Sequence, residues 1–467
     1  MATVPEAAVA GDLAKLLGPD RVLPADAPGY GADDSEAAGI SGRPDAVVVP
    51  SSTQEVAAAI AWCYGHDVPV VPRGGGTGFA GGAVPVTGGV VLSLERMTAV
   101  RAFDPLLWRM HVEAGVRTAT VRRLARENGL VFPPDPGARE QSQIGGNIAT
   151  NAGGPHAFKY GVTGRWVTGL EAVVPPGEVI AIGGPIRKDV AGYDLLDLLV
   201  GSEGTLGVVT AAWLRLLPAP EAALPIAAFY ANARDGCAAI ESVLGSGLEP
   251  AALEFLDAGA LAAAAAAFPG SVPDGGGFAV IAEADGTSEQ AERLRAELRT
   301  VLASRALAVE TFAGGAGAEA LWRWRDGVSI AVSAQRGGKV SEDIVVPLDH
   351  LAEAVEETVA IGARHGLEAC SWGHAGDGNL HSTFLVDRSS AEELARAGRA
   401  AEDLFALAVR LGGSVSGEHG LGIAKSGELA RQWPAAALDL HDRVKRAFDP
   451  KGLLNPGKKL SRIESAS

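Results

Sequence analysis

Val70-Val71-Pro72-Arg73-Gly74-Gly75-Gly76-Thr77-Gly78-Phe79-Ala80-Gly81-Gly82 ends a short apolar run in a glycine-rich loop. Upstream, Asp45 to Val49 reads as a strand. Ser52-Thr53-Gln54-Glu55 reads as a capping box opening an alanine-rich helix to about Gly65, and Val68 to Val71 as the next strand. A β-α-β unit therefore delivers the loop. Consecutive glycines let backbone N–H groups turn toward one anion, forming the concave nest that cradles phosphates. No Gly-Lys-Ser/Thr follows, which excludes a P-loop, and no amphipathic helix opens from the loop as a Rossmann dinucleotide turn requires. A flexible surface loop would carry the same glycines. Two further runs weigh against that reading. Ser142-Gln143-Ile144-Gly145-Gly146-Asn147-Ile148-Ala149-Thr150-Asn151-Ala152-Gly153-Gly154 is one. Lys188-Asp189-Val190-Ala191-Gly192-Tyr193-Asp194 with Gly201-Ser202-Glu203-Gly204-Thr205-Leu206-Gly207-Val208-Val209-Thr210 is the other. Three such stretches within one segment predict one large, extended ligand.

A second pattern lies far downstream. His374-Ala375-Gly376-Asp377-Gly378-Asn379-Leu380-His381 is followed by Gly417-Glu418-His419-Gly420. Imidazoles with a carboxylate suit a divalent transition ion such as zinc, manganese or iron, with a coordination position left open for a substrate oxygen. In an unbroken strand residues seven apart face opposite ways, so His374 and His381 converge only if Gly376-Asp377-Gly378 bends the chain. Three unrelated polar histidines on loops would give the same letters; the glycine-rich runs upstream weigh against that.

Together these residues resemble the FAD-linked 2-hydroxyacid dehydrogenases of the vanillyl-alcohol oxidase superfamily, which include D-lactate dehydrogenase, the flavin subunit of glycolate oxidase and D-2-hydroxyglutarate dehydrogenase. The matching motifs are Pro72 to Gly78, Ile144 to Gly154, Gly201 to Thr210, Gly373 to His381, Gly417 to Gly422, and the closing Phe448-Asp449-Pro450-Lys451-Gly452-Leu453-Leu454-Asn455-Pro456-Gly457-Lys458. The pattern departs at Gln143, where a threonine is frequent, and in the short connection from Val174-Pro175-Pro176-Gly177-Glu178-Val179-Ile180 to Lys188.

The resemblance implies an α+β protein. A two-subdomain FAD-binding domain of the vanillyl-alcohol oxidase (PCMH) type would span 1–218, and a C-terminal α+β substrate (cap) domain carrying the metal site would span 219–440. Residues 441–467 would return to the FAD domain. FAD contacts are implied at Pro72, Arg73, Gly74, Gly75, Gly76, Thr77, Gly78, Gly81 and Gly82, and at Pro136, Gly145, Gly146, Asn147, Thr150, Asn151, Gly153 and Gly154. Tyr160, Gly161, Glu203, Gly204, Gly207, Val208, Val209 and Asn455 complete that set. Relatives that attach FAD covalently commonly carry a histidine after the loop glycines; Thr77 stands there, so a noncovalent flavin is expected, with His156 the nearest alternative anchor.

Metal ligation is expected from His374, His381 and Glu418, and substrate binding from Arg325, Ser329, Lys339, Asn379 and His419. Arginine grips a carboxylate in a two-pronged fork that lysine cannot copy, and the resemblance selects Arg325 from Trp322-Arg323-Trp324-Arg325. Arg323, Arg336 and Glu342 read as solvated surface charges. Hydride would pass to flavin N5, the metal would polarise the 2-hydroxyl, and His419 would accept its proton as general base. Asn379 would hydrogen-bond the substrate carboxylate. Glu418 and His419 would face opposite ways in a strand, so Gly417 or Gly420 must distort the backbone for both to serve one site.

The expected substrate is a small (R)-2-hydroxyacid, D-lactate or glycolate first and D-2-hydroxyglutarate next. Two rivals stand beside it: a related flavoenzyme oxidising a sugar or other alcohol, and an electron-passing flavin subunit of a larger complex. The electron acceptor would be a quinone, an electron-transfer protein or a partner subunit, and a homodimer is compatible. The formal charge of -16 argues against nucleic acid and obliges a carboxylate site to supply its own cations. With 467 residues, 47% apolar content and 61 glycines, two or more domains of a loop-rich enzyme are expected. Leu261 to Phe268 is mostly alanine and far too short to span a membrane, and Met1-Ala2-Thr3-Val4-Pro5-Glu6 shows no signal-peptide pattern. Scattered Cys63, Cys237 and Cys370 fit a reducing compartment, so a cytoplasmic enzyme is expected, with peripheral membrane attachment left open.

Beyond the loop, Gly89 to Leu94, Trp108 to Glu113 and Val208 to Leu216 read as strands and Thr118 to Asn128 as an amphipathic helix, before a boundary at Leu217-Pro218-Ala219-Pro220. Then come helices over Gly236 to Leu244, Glu289 to Leu302, Leu351 to His365 and Ala391 to Leu411, between strands such as Phe278 to Ala284 and Ile344 to Pro347.

Overall fold

Val47, Val49, Val71 and Val91 are buried together, and Ala46, Val48, Val70, Val90 and Leu92 are buried with Val56, Ile60 and Cys63 of the Thr53–Gly65 helix. Valines buried on both faces are what a parallel sheet demands. In the computed structural model, which describes residues 6–35 and 39–460, these residues build a sheet of β1 (Val22–Leu23), β2 (Ala46–Val48), β3 (Val70–Arg73) and β4 (Val90–Ser93), in the order β1-β2-β4-β3. Strands β2, β4 and β3 run parallel, so the expected β-α-β unit delivers the glycine loop from the end of β3. Ser52 caps the helix by accepting the Glu55 amide at 3.2 Å. The Glu55 carboxylate takes the Ser51 amide at 2.6 Å, one residue short of a capping box.

A second sheet in the same unit is antiparallel. It contains β5 (Val100–Asp104), β6 (Arg109–Glu113), β8 (Val167–Val174), β9 (Glu178–Gly183) and β10 (Val208–Arg215), in the order β5-β6-β10-β8-β9. A short pair, β7 (Leu130–Val131) with β11 (Leu217–Pro218), completes this unit's strands among the described residues. These two sheets realise the two-subdomain FAD-binding expectation. The second glycine-rich stretch holds a helix that the sequence reading did not anticipate, Ile144–Thr150, ended by Asn151 in the left-handed conformation (φ 53).

The other unit carries one seven-stranded sheet with every neighbouring pair antiparallel. Its strands are β12 (Ala222–Tyr230), β13 (Ala252–Asp257), β14 (Phe278–Gly286), β15 (Ala308–Thr311), β16 (Gly338–Val345), β17 (Ala369–Gly373) and β18 (Asn379–Val386), in the order β15-β12-β14-β13-β17-β18-β16. On one face, Leu256, Ile281, Trp372 and Leu385 pack with Leu261, Leu321, Trp324 and Val328 from the helices Ala258–Ala264, Ala316–Asp326 and Val328–Ala334. The alanine tract is thus an ordinary helix with a short 3-10 extension, Ala265–Ala267. Of the expected strand Ile344 to Pro347, only Ile344 and Val345 lie in the ladder. The ladder runs over Gly338–Val345, where Lys339, Glu342 and Asp343 hide the strand from a reading of hydrophobic runs.

The first unit takes the chain up to Gly153, Val162–Ala219 and everything from Glu418 on; the second takes Gly154–Gly161 and Pro220–Gly417. The return therefore comes at Glu418 rather than at 441, because Glu203 accepts the amides of Leu421 and Gly422 at 3.0 and 2.6 Å. The opening residues 1–5, read above as free of a leader, lie outside the described residues.

Candidate active site

The loop after β3 is shaped for a ligand. Among the described residues, the backbone amides of Gly74, Gly75, Gly76, Thr77 and Gly78 have no hydrogen-bond partner, the condition under which a nest holds an anion. A Cβ on Gly75 would lie 2.5 Å from the Gln141 carbonyl oxygen, so only glycine lets the loop lie against the second glycine-rich stretch. The third stretch joins them: the Gly201 amide donates to Ile148 O at 2.8 Å and the Glu203 amide to Ala149 O at 2.7 Å. Asn455 ties the set together, its side-chain amide donating to Gly82 O at 2.9 Å and Glu203 O at 2.7 Å. A cavity of about 790 Å³ opens beside Arg73, Gly74, Gly75, Gln141 and Gln143. The Lys188 to Asp194 part of the third stretch lies apart and is exposed.

Other expected FAD contacts have local duties. Asn147 donates to Thr118 Oγ1 at 2.6 Å, the Thr150 hydroxyl to Gly146 O at 3.2 Å, and Asn151 Oδ1 accepts the Gly164 amide at 2.8 Å. Pro136 O accepts the Arg139 amide at 3.0 Å, and Val208 and Val209 open β10. Tyr160 and Gly161 fall in the second unit, where the Tyr160 hydroxyl and Lys159 both bond Asp285. His156 belongs there too, with Nε2 2.9 Å from Glu283 Oε1, as a loop histidine would be. Glu418 and His419 lie in irregular backbone rather than a strand, with Gly420 at φ 78, and the His419 ring sits 4.6 Å from Phe79.

In the second unit, a chain of contacts closes on itself. His374 follows β17, Ala375–Asp377 makes a single turn, and Gly378 (φ 66) ends that turn just before β18; a Cβ on it would lie 2.1 Å from Val346 O. The bend brings the rings of His374 and His381 to 5.3 Å, perpendicular to one another. His374 Nδ1 is 2.6 Å from Glu254 Oε1, and Glu254 Oε2 is 2.5 Å from Arg325 Nη2. Four residues past Arg325, the Ser329 hydroxyl accepts from Lys339 Nζ at 2.5 Å. Lys339 lies 4.8 Å over Trp372, whose ring is 6.0 Å from His381. Arg323 and Arg336 are exposed and outside this ring.

Burial sets the electrostatics. It would raise the Glu254 carboxyl, but Arg325 and His374 more than offset it and hold the group below the usual carboxylate range. Lys339 is pushed down to about 8 by desolvation, with little charge nearby to reverse it. The Arg325–Glu254 approach is an ion pair whose angles fall outside those of a hydrogen bond, and Arg325 Nε is buried with no hydrogen-bond partner. An N–H left so costs about 1–3 kcal/mol, which an added acceptor would recover.

Asn379 corrects an expectation. Its Nδ2 already donates to Asp343 Oδ1 at 2.6 Å and Ile344 O at 2.9 Å, so both hydrogens are taken and none is left for a substrate carboxylate. What remains is Oδ1, a buried acceptor. Asp343, four residues after Lys339, is not singled out by the sequence. It also accepts the Ser416 hydroxyl at 3.1 Å and the Gly417 amide at 2.8 Å. Glu254 was missed altogether. Its one available signal was a charge inside the apolar run Ala252-Leu253-Glu254-Phe255-Leu256.

A family model described as FAD linked oxidases, C-terminal domain, matches residues 219–459, and one described as FAD binding domain matches 44–183. The chain belongs to the FAD-linked oxidases. It is 38% identical over 416 residues to the glycolate oxidase subunit GlcD of Bacillus subtilis (strain 168), covering 89% of this chain and 88% of that one. It is 34% identical over 425 residues to a D-lactate dehydrogenase of Anaerostipes hadrus, covering 89% of each. The fold matches p-cresol methylhydroxylase with a TM-score of 0.81 over 97% of both chains at 19% identity. This FAD-linked oxidase is therefore an oxidoreductase of the vanillyl-alcohol oxidase fold. No helix among the described residues is long and apolar enough to cross a membrane.

Proposed function

We propose that this oxidase converts a small (R)-2-hydroxyacid, D-lactate or glycolate first and D-2-hydroxyglutarate next, into the 2-oxoacid. The observation that carries the reading is the buried, unpartnered Nε of Arg325 beside the His374–His381 pair. A buried guanidinium donor with no acceptor from its own chain suits a ligand carboxylate, in a protein whose charge of -16 repels anions elsewhere. Lys339, held against Ser329, supplies a second cation. The names of the relatives above, a glycolate oxidase subunit and a D-lactate dehydrogenase, point to the same substrate class.

The glycine-rich stretches would hold FAD noncovalently, which when bound supplies a two-electron hydride acceptor. His374, His381 and Glu418 would hold a divalent metal, zinc, manganese or iron, which when bound supplies Lewis-acid polarisation of an oxygen. The chemistry of the donors supports this: two imidazoles meet at a bend, and imidazole with carboxylate is a ligand set such an ion takes. Arg325 and Lys339 bind and orient the carboxylate. Ser329 keeps Lys339 in place. His419 takes the hydroxyl proton on a ring nitrogen as the carbon–hydrogen bond gives up its hydride, leaving the carbonyl of the 2-oxoacid. The final electron acceptor would be a quinone, an electron-transfer protein or a partner subunit; the word subunit in one relative's name favours the last.

Anaerobic bleaching of the flavin against a panel of 2-hydroxyacids, sugars and simple alcohols tests the proposal. The acids should bleach it; bleaching by uncharged alcohols alone would overturn it.

A further inference from the structure

We propose that Glu254 is a positioning residue that fixes the tautomer of His374 and the orientation of Arg325 at once, through the two oxygens of one buried carboxylate. The inference deepens the function proposed above and rests on it, since it assigns His374 to a metal and Arg325 to the substrate carboxylate.

The fold builds the contact. Strand β13 pairs antiparallel with β17 through Phe255↔Gly373 and Leu256↔Trp372, and continuing that register sets Glu254 opposite residue 374. Glu254 is 0% exposed, with Oε1 2.6 Å from His374 Nδ1 and Oε2 2.5 Å from Arg325 Nη2. An ionised carboxylate accepts and cannot donate. Nδ1 of His374 therefore carries the proton that faces Glu254, and Nε2 is the nitrogen that would take a metal. A carboxylate behind a ligating imidazole also fixes the ring and raises its basicity. The other oxygen holds one edge of the Arg325 guanidinium, so its remaining donors keep a constant direction. Metal face and substrate anchor are registered to each other by a single side chain.

Glu254→Gln separates the two duties. Arg325 can only donate, so it takes the amide oxygen, and the amide NH₂ turns to His374 Nδ1. The ring must then accept there and carry its proton on Nε2, which blocks the nitrogen a metal needs. In the purified holoenzyme, FAD per chain and KM for the hydroxyacid should stay within about threefold of the wild type. Zinc affinity, measured by chelator competition, should fall roughly ten- to a hundredfold. Glu254→Gln that binds zinc as tightly as the unsubstituted chain overturns the proposal. Parallel losses of FAD, melting temperature and zinc would mean a packing role only and overturn it too.

A second measurement does not depend on that variant folding. In chelated, ¹⁵N-histidine-labelled wild-type holoenzyme, the imidazole assigned to His374 by its absence in His374→Gln should read as the Nδ1–H tautomer. An Nε2–H reading overturns the inference. Wild-type enzyme that oxidises hydroxyacids fully without metal would instead sink the metal half of the proposed function, and the tautomer result would stand by itself.

Discussion

Asp343 accepts the backbone amide of Gly417 at 2.8 Å through Oδ2 while its Oδ1 takes the Asn379 side chain at 2.6 Å. One buried carboxylate thus fixes the residue before Glu418 and His419 and the asparagine between the two histidines. Asp343→Asn must set an NH₂ against one of those donors. Activity should fall roughly ten- to a hundredfold, as expected when catalytic groups are misplaced by a fraction of an ångström. Flavin content should hold. Steady-state kinetics with FAD quantified per chain checks this, and unchanged kcat/KM would remove Asp343 from the site's support.

Denaturation should release about one FAD per chain into the supernatant, because Thr77 offers no covalent anchor. Gly75→Ala should sharply lower flavin content, since its Cβ would meet the Gln141 carbonyl at 2.5 Å and push the loop off its neighbour. Absorbance of protein and supernatant after precipitation decides both. Flavin that stays on the precipitate would contradict the noncovalent reading.

His374→Ala or His381→Ala should strip metal and turnover while leaving the flavin bound, because the free-amide loop belongs to the other unit. Each lost ligand should weaken the metal by orders of magnitude. Elemental analysis alongside the flavin spectrum separates the outcomes, and full activity in a chelated, metal-free preparation would refute the metal role.

The first unit was legible because its signals are local. Valine runs, a cap and a glycine loop lie within a few dozen residues, and each states its own conformation. The His374–His381 bend was legible for the same reason: Gly378 announces the turn. Glu254 and Asp343 were not, since their meaning lies in partners 120 and 74 residues away, His374 and Gly417. Strand β16 was read short because Lys339, Ser341, Glu342 and Asp343 break the hydrophobic run by which a strand is recognised. The role given to Asn379 failed on a count of hydrogens that no sequence displays.

Lys339 should impose an alkaline limb on substrate binding. Desolvation lowers it to about 8, so it is a cation below that pH and loses its charge as pH rises through it. In profiles taken with a hydroxyacid, kcat/KM should decline above pH of about 8, while kcat breaks later because the bound carboxylate favours the charged form. Lys339→Met should raise KM and flatten that limb. A limb that survives in Lys339→Met assigns the ionisation elsewhere.

Arg325→Lys tests carboxylate recognition itself. Lysine keeps the charge but loses the planar fork, and it cannot both pair with Glu254 and present a second, fixed donor to the ligand. A charge-assisted two-pronged contact is worth a few kcal/mol, so kcat/KM for a 2-hydroxyacid should drop by roughly tenfold or more, chiefly through KM. The damage should depend on substrate: the acid suffers, while any residual activity on its uncharged alcohol analogue is unchanged, because that analogue never used the fork. If Arg325→Lys altered neither constant and alcohols served as well as acids, the unpartnered guanidinium would have no ligand to meet, and a sugar- or alcohol-oxidising relative would become the better account of this site.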